Sequence, residues 1–254
     1  TNTLLEIIEK RKPTHLAVVF DTSAPTTRHK EYPEYKAQRA EMPEELSEAI
    51  PHVKRIVEAF NIPVLTKDGF EADDIIGTLA HQAEREDDEA EIFMVTPDKD
   101  FAQLVTDRAK ILKPGRQGSD AEIISLEDIK ETWQVERAEQ VIDILGLWGD
   151  ASDNIPGVPG IGEKTAKRLI SQFGSVDGLI ENTDKLKGKQ KENVENNTEQ
   201  ARLSRKLATI ILDVPIDISW DELELGDRDN DALKSLFVQF EFNAIGKRLF
   251  GSDF

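Results

Sequence analysis

The chain has 254 residues, 38% hydrophobic and 32% charged, which at roughly 150 residues per domain leaves room for one large domain or one with a smaller appendage. No apolar run approaches the roughly 20 residues of a membrane span; a sequence without cysteine excludes disulfides, thiolate nucleophiles and sulfur-ligated metal centres, and four scattered histidines leave little for an imidazole cage, so any metal here is held by oxygen. The 32 Lys and Arg against 50 Asp and Glu give a net charge of −18, the wrong sign for a polyanionic partner unless basic residues are concentrated locally.

In chain order, Leu4, Leu5, Ile7 and Ile8 predict a short helix without a signal-peptide core, which points to a cytoplasmic, nucleoid-side location. Residues 15–20 (HLAVVF) are an apolar run too short for a helix and read as a buried strand ending at Asp21. The runs 62–65 and 91–95 read likewise, separated by helical patterns over 43–60 and 72–85, and this alternation predicts a parallel α/β sheet. Short strands follow near Ile111 and Ile123, then helices over 126–133, 139–148 and 163–172. The last hundred residues are mostly helical, with breaks at 157–162, Gly174, Gly188 and Pro215.

The segment 22–42 fits neither pattern. It holds Pro25 and Pro33, the chain's two tyrosines, Tyr32 and Tyr35, and the basic residues Arg28, Lys30, Lys36 and Arg39. Long connections leaving the carboxyl end of a strand tend to be functional.

Acidic residues gather at element ends in four groups: Asp21; Glu71, Asp73 and Asp74; Asp98 and Asp100; Asp150 and Asp153. Sites in open α/β sheets form at the carboxyl ends of strands, so the first three groups are placed to converge. Carboxylates sharing a cleft require cations, and an all-oxygen donor set suits magnesium or manganese. Each group by itself is better explained as a helix N-terminal charge, an N-cap or a turn residue; the four together favour metal. Gly157, Gly160 and Gly162 precede Lys164 and Thr165, but Glu163 is inserted where a P-loop has none, and a helix rather than a strand comes before. What remains is helix, glycine-rich turn, helix, with Lys164, Lys167 and Arg168 beside it. On spacing alone this is either a grip for a nucleic-acid backbone or a tight interhelical turn.

Taken in order, VVFD (18–21), Arg28 with YKAQR (35–39), EADD (71–74), TPDKD (96–100) and GDASDNIPG (149–157) running on to Thr165 resemble the 5′ to 3′ exonuclease domains of bacterial DNA polymerase I, within the structure-specific 5′ nuclease, or flap endonuclease, superfamily. The resemblance implies an α/β, parallel-sheet nuclease domain of the PIN-like kind over 1–125, with a helical arch at 22–42. A mostly helical subdomain would follow over 126–254, with a helix-three-turn-helix DNA-binding motif near 139–173. Asp21, Glu71, Asp73, Asp74, Asp98, Asp100, Asp150 and Asp153 then map onto acidic ligands of two magnesium ions, with manganese as a substitute. Arg28, Lys36 and Arg39 would be catalytic at the scissile phosphate and Tyr32 would stack on a base. Gly157, Gly160, Gly162, Lys164, Thr165, Lys167 and Arg168 would grip the duplex, with a potassium ion held by the turn.

The implied reaction is phosphodiester hydrolysis at a DNA 5′ end or 5′ flap, leaving 5′ phosphates, in primer removal and repair. The expected molecule is a monomer, independent of membranes and continuous with a C-terminal polymerase region. Family members begin with a further strand ending in a metal-binding Asp followed by Gly, ahead of the helix that opens this sequence. The sequence is therefore read as part of a longer protein, and the alternative expectation is a DNA-binding fragment with an incomplete metal site.

Overall fold

The computed structural model describes residues 1–115, 119–251 and 254. In order the elements are α1 (Asn2–Arg11), β1 (Val18–Val19), α2 (Thr27–Glu31), α3 (Glu44–Ala59), β2 (Val64–Leu65), α4 (Ala72–Glu86), β3 (Ile92–Val95), β4 (Ala109–Lys113), β5 (Glu122–Ile124), α5 (Leu126–Trp133), α6 (Gln140–Trp148), α7 (Glu163–Phe173), α8 (Val176–Glu181), α9 (Gly188–Asn196), α10 (Thr198–Ala208), α11 (Asn230–Gln239) and α12 (Asn243–Phe250), with a 3-10 turn at Lys99–Leu104. Among the described residues no helix is long and apolar enough to cross a membrane. The chain divides into two compact units, one of Thr1–Thr22, Ala40–Lys67 and Pro215–Phe254, the other of Ser23–Arg39 and Asp68–Val214.

In the first unit β1 and β2 pair in parallel, Val18 opposite Val64 and Val19 opposite Leu65. Their core joins Leu5 of α1, Ile56 and Val57 of α3, and Leu233, Leu236 and Phe237 of α11. The predicted strand over 15–20 is shortened to two residues because its first half pairs elsewhere: Leu16 N donates to Leu223 O, and His15 bridges Glu224.

In the second unit β3, β4 and β5 form one sheet, β3 and β4 parallel and β4 and β5 antiparallel; the parallel pairing that the strand pattern predicts is present in each unit, as two ladders rather than one. Helix α6 is buried along most of its length: Val141, Ile144, Leu145 and Leu147 are fully buried, and its two polar side chains, Gln140 and Asp143, are buried with partners, as expected for a helix that other elements surround. Helix α7 turns Ala166, Leu169 and Ile170 inward and leaves Lys164 and Arg168 in solvent.

One buried ion pair ties this unit together. Asp74, in the first turn of α4, has no exposed surface. Its Oδ2 accepts from Arg28 Nη1 at 2.8 Å and from Glu71 N at 3.1 Å; its Oδ1 accepts from Arg28 Nη2 at 2.7 Å and from Ile211 N at 2.9 Å. Arg28, on α2, also donates to Leu207 O at 3.0 Å and Thr209 O at 2.6 Å. Burial works against the guanidinium charge, but the hydrogen bond and charge of Asp74 hold its pKa above the ordinary value.

Removing one partner of such a pair strands a buried charge. Arg28→Ala is expected to cost about 3–5 kcal/mol of stability, with Arg28→Lys recovering only part because an ammonium cannot engage both carboxylate oxygens in one plane. Urea denaturation followed by circular dichroism measures both; a loss of Arg28→Ala below about 1 kcal/mol is the surface-pair value and would contradict the assignment.

Candidate metal centre and nucleic-acid interface

The second unit carries seven of the eight acidic residues singled out in the sequence, and local geometry explains how they are displayed. Glu71 precedes α4, and Asp73, partly buried, and Asp74 lie in its first turn. Asp98 follows β3 and caps the 3-10 turn by accepting from Asp100 N at 2.9 Å, so its capping role is realised. Asp150 and Asp153 sit in a loop closed by two backbone bonds between Asp150 and Ile155, of 2.9 and 2.8 Å. That closure demands glycine at its edges. A Cβ on Gly149 would lie 2.5 Å from Ile155 O, and one on Gly157 2.5 Å from Gly149 N. Asp21 lies exposed after β1, in the first unit.

The basic segment 23–39 lies over these carboxylates. Lys36 Nζ donates to Glu71 Oε1 at 2.6 Å and stands 3.6 Å from Asp153 Oδ2. Arg39 Nη2 donates to Asp153 Oδ1 at 2.5 Å. Lys36 adopts a left-handed backbone, φ 56°, uncommon for a side chain of this kind, and its N–H is fixed to Asp153 O at 2.9 Å.

Tyr35 is 2% exposed, and its hydroxyl lies 3.0 Å from Glu71 Oε2 and 3.2 Å from Asp153 Oδ2. Burial, then the charges of Glu71 and Asp153, raise its pKa far above that of a free phenol, so it remains a donor to this pair at physiological pH. Tyr32, the aromatic singled out in the sequence, instead donates to Glu34 Oε2 at 2.8 Å and is partly exposed. Arg28 is buried on Asp74, and so sits beneath the cluster as structural support.

Lys99 bonds Asp150 Oδ2, while Ser152 N and Oγ donate to Asp150 Oδ1 at 2.8 and 2.7 Å. Burial favours the neutral acid at Asp150, but these bonds outweigh it and hold its pKa low. Asp100 is the opposite case. Burial, reinforced by Asp98, Asp150 and Asp153 against the opposing charge of Lys99, pushes it up to about 7. Its Oδ1 is buried with no hydrogen-bond partner, the nearest cation being Lys99 Nζ at 3.6 Å.

Such an orphaned oxygen is costly unless a cation or donor reaches it. Together with an all-oxygen donor set, it fits a hard divalent ion. Among the described residues no three acidic or imidazole groups stand in a ligating cage as placed; the carboxylates of Glu71, Asp74, Asp150 and Asp153 carry basic side chains in their place.

The glycine-rich turn joins α6 to α7. Gly160 and Gly162 are exposed with Lys164 and Arg168, and Thr165 is partly buried. Gly157 is buried, and Lys167 is only 9% exposed, donating to Thr132 O at 2.9 Å and Glu163 Oε1 at 2.6 Å against the Trp133 ring of α5. Tyr35 and Lys99 were overlooked in the sequence. The available signals were the 35, 36, 39 spacing, which gathers Tyr35 with Lys36 and Arg39, and a lysine set between Asp98 and Asp100 in a tight turn.

Residues 1–134 match the family described as 5′-3′ exonuclease, N-terminal resolvase-like domain, and residues 136–231 match 5′-3′ exonuclease, C-terminal SAM fold. DNA polymerase I of Bacillus subtilis is 42% identical over 251 residues, 98% of this chain and 28% of that protein. DNA polymerase I of Chloroflexus aurantiacus is 39% identical over 241 residues, 94% of this chain and 25% of that protein. The chain thus spans about a quarter of the length of these relatives.

Among solved structures, a T5 5′-exonuclease with bound zinc superposes with a TM-score of 0.67 at 25% identity, covering 93% of this chain and 88% of that one. A bacteriophage T5 flap endonuclease in a pseudo-enzyme–product complex with DNA and metal ions gives 0.67 at 25% identity, covering 94% and 89%. The catalytic core of Rad2 in complex with DNA substrate, at 17% identity and a TM-score of 0.60 over 94% and 78%, shares the fold. A family match over more than half of its length, continued by a second match through residue 231, makes this chain a member of the 5′-3′ exonuclease family.

Proposed function

We propose that this chain hydrolyses DNA phosphodiester bonds near a 5′ end or 5′-flap junction, releasing 5′-phosphate products, as the nuclease region of a longer polymerase that removes primers and serves repair in the nucleoid. The observation that carries this reading is the meeting of Glu71 and Asp153 with Lys36 and Arg39, and of Asp100 and Asp150 with Lys99, in the unit that also holds the glycine-rich turn.

Glu71, Asp73, Asp98, Asp100, Asp150 and Asp153 would hold two magnesium ions, for which manganese can substitute. When bound, such ions supply positive charge at the phosphoryl oxygens and a nucleophile at neutral pH. Asp74, whose oxygens already accept four hydrogen bonds, orients Arg28 and Glu71 and is a positioning residue. Tyr35 holds the Glu71 and Asp153 carboxylates in register. Lys36 and Arg39 offset charge accumulating on the phosphoryl oxygens of the strand being cut. Tyr32 offers an aromatic face to a base. No His or Ser nucleophile is needed.

Residues 1–125 would form the catalytic region, with 22–42 as its arch, and 126–254 the DNA-holding region, a helix-three-turn-helix lying near 139–173. Gly160, Gly162, Lys164, Thr165 and Arg168 would hold the duplex backbone independently of base sequence, with potassium bound by carbonyls of the turn. Gly157 shapes that turn from inside, and Lys167 ties α7 to α5 through Thr132 O. The molecule would act as a monomer.

Three outcomes test the reading on an end-labelled 5′-flap duplex. Asp100→Asn should lower turnover on the order of a hundredfold or more while leaving DNA affinity nearly unchanged; equal turnover removes Asp100 from the mechanism. Chelation with EDTA should abolish cutting but not binding, with magnesium or manganese restoring it; cutting that persists in EDTA contradicts a metal centre. Lys36→Ala should reduce kcat by about tenfold to a hundredfold with a small change in KM, whereas a change confined to KM would make Lys36 a binding residue only.

A further inference from the structure

Helix α10 and the segment 207–214 that follows it touch both halves of the proposed machinery within the second unit. At one end, α10 and its neighbour α9 hold the glycine-rich turn by its backbone. Gly157 N donates to Ser204 Oγ at 3.0 Å, Gln200 Nε2 donates to Gly157 O at 2.7 Å, and Asn193 Nδ2 donates to Pro159 O at 2.8 Å. At the other end, the backbone of 207–214 is gripped by side chains that belong to, or adjoin, the acid cluster. Gln103, three residues beyond Asp100 in the 3-10 turn, donates to Ala208 O at 2.9 Å and accepts from Ile210 N at 2.8 Å. Arg28 takes Leu207 O and Thr209 O, Asp74 takes Ile211 N, and Thr78 Oγ1 donates to Ile211 O at 3.2 Å and accepts from Val214 N at 3.2 Å.

Two helix-interior glycines mark where this element is pressed against its supports. A Cβ on Gly146 of α6 would lie 2.8 Å from Arg205 Cβ, and one on Gly77 of α4 would lie 2.8 Å from Ile210 Cγ2 and 2.9 Å from Leu212 Cδ2. Close approach at both points, with buried hydrogen bonds at both ends, leaves the element little freedom to slide.

We propose that α10 and residues 207–214 form a fixed spacer between the duplex grip and the acid cluster, and that Gln103 and Gln200 are positioning residues that determine which phosphodiester bond is cut. This rests on the reading of the chain as a 5′ nuclease. From Gln200 to Ala208 the helix rises about 12 Å at ~1.5 Å per residue, and Ser204, one turn along, adds a second anchor on Gly157. A turn that shifts by one step relative to the cluster moves the cut by one nucleotide.

The test maps products at single-nucleotide resolution on a 5′-flap duplex in magnesium, for the wild-type chain, Gln103→Ala, Gln200→Ala and the control Arg202→Ala. Arg202 pairs with Asp177 and Glu199 on the outer side of α10. Gln103→Ala and Gln200→Ala should retain DNA affinity, lose in-register cutting on the order of tenfold to a hundredfold, and spread products to neighbouring positions; Arg202→Ala should cut where the wild type does. A uniform loss of rate with the register unchanged would be a merely structural effect and would overturn the proposal, as would wild-type register at wild-type rate. If Gln103→Ala fails to fold by near-ultraviolet circular dichroism, Gln103→Glu, which keeps the acceptor for Ile210 N and removes the donor to Ala208 O, takes its place, and the partly exposed Gln200 decides independently. A wild-type chain that leaves every flap intact defeats the nuclease reading and the spacer with it; a wild type that cuts beside variants that stay in register defeats the spacer alone.

Discussion

The Arg28–Asp74 pair is the constraint on which the second unit turns. A guanidinium and a carboxylate taken out of water cost several kcal/mol each, and their attraction offsets this only where further hydrogen bonds fill the remaining positions. Here they do: both Asp74 oxygens accept twice, and Arg28 adds two backbone carbonyls. The partners come from three stretches of chain far apart in sequence, α2, the start of α4 and the segment after α10. The pair can therefore form only when all three are in place, and its formation orients Glu71, which gives its N–H to Asp74.

Above this pair the governing problem is like charge. Glu71, Asp100, Asp150 and Asp153 cannot remain ionised together in a partly buried cluster without cations. The protein answers with Lys36, Arg39 and Lys99 at three of them and leaves the fourth, Asp100, with a buried oxygen unsatisfied and its pKa raised to about 7. The overall charge of −18 thus conceals a local balance in which basic residues are concentrated in 23–39 and around the turn.

Much of the helical structure was legible because the signals are local: the predicted ranges 126–133 and 163–172 are matched by α5, capped by Ser125, and by α7, which runs one residue further between Gly162 and Gly174. The strands were less legible, since pairing is not local; the 15–20 run divides between β2 and residues 223–225, partners no periodicity reveals. The acidic residues were found by their position at element ends; Glu71, Asp74 and Asp153 meet the basic segment 23–39, and Asp100 and Asp150 meet Lys99. What sequence could not disclose was orientation. Lys164, Lys167 and Arg168 read alike on paper, yet Lys167 points inward beneath Trp133 and the other two face solvent. Tyr32 and Tyr35 are three residues apart, and only the second reaches the carboxylates.

The contact between Gly149 and Gly157 carries a consequence for how such a protein can vary. Because the two backbones meet where a Cβ would collide, the loop between them behaves as a ring of set size, its ends pinned by α6 on one side and the glycine-rich turn on the other. An exposed side chain inside the ring, such as that of Ala151, can be exchanged without disturbing that closure, whereas adding or deleting one residue would rotate Asp150 and Asp153 and displace the turn in the same stroke. Length, more than composition, is the heritable quantity in this stretch, and the two halves of the machinery that it joins are bound to drift together or not at all.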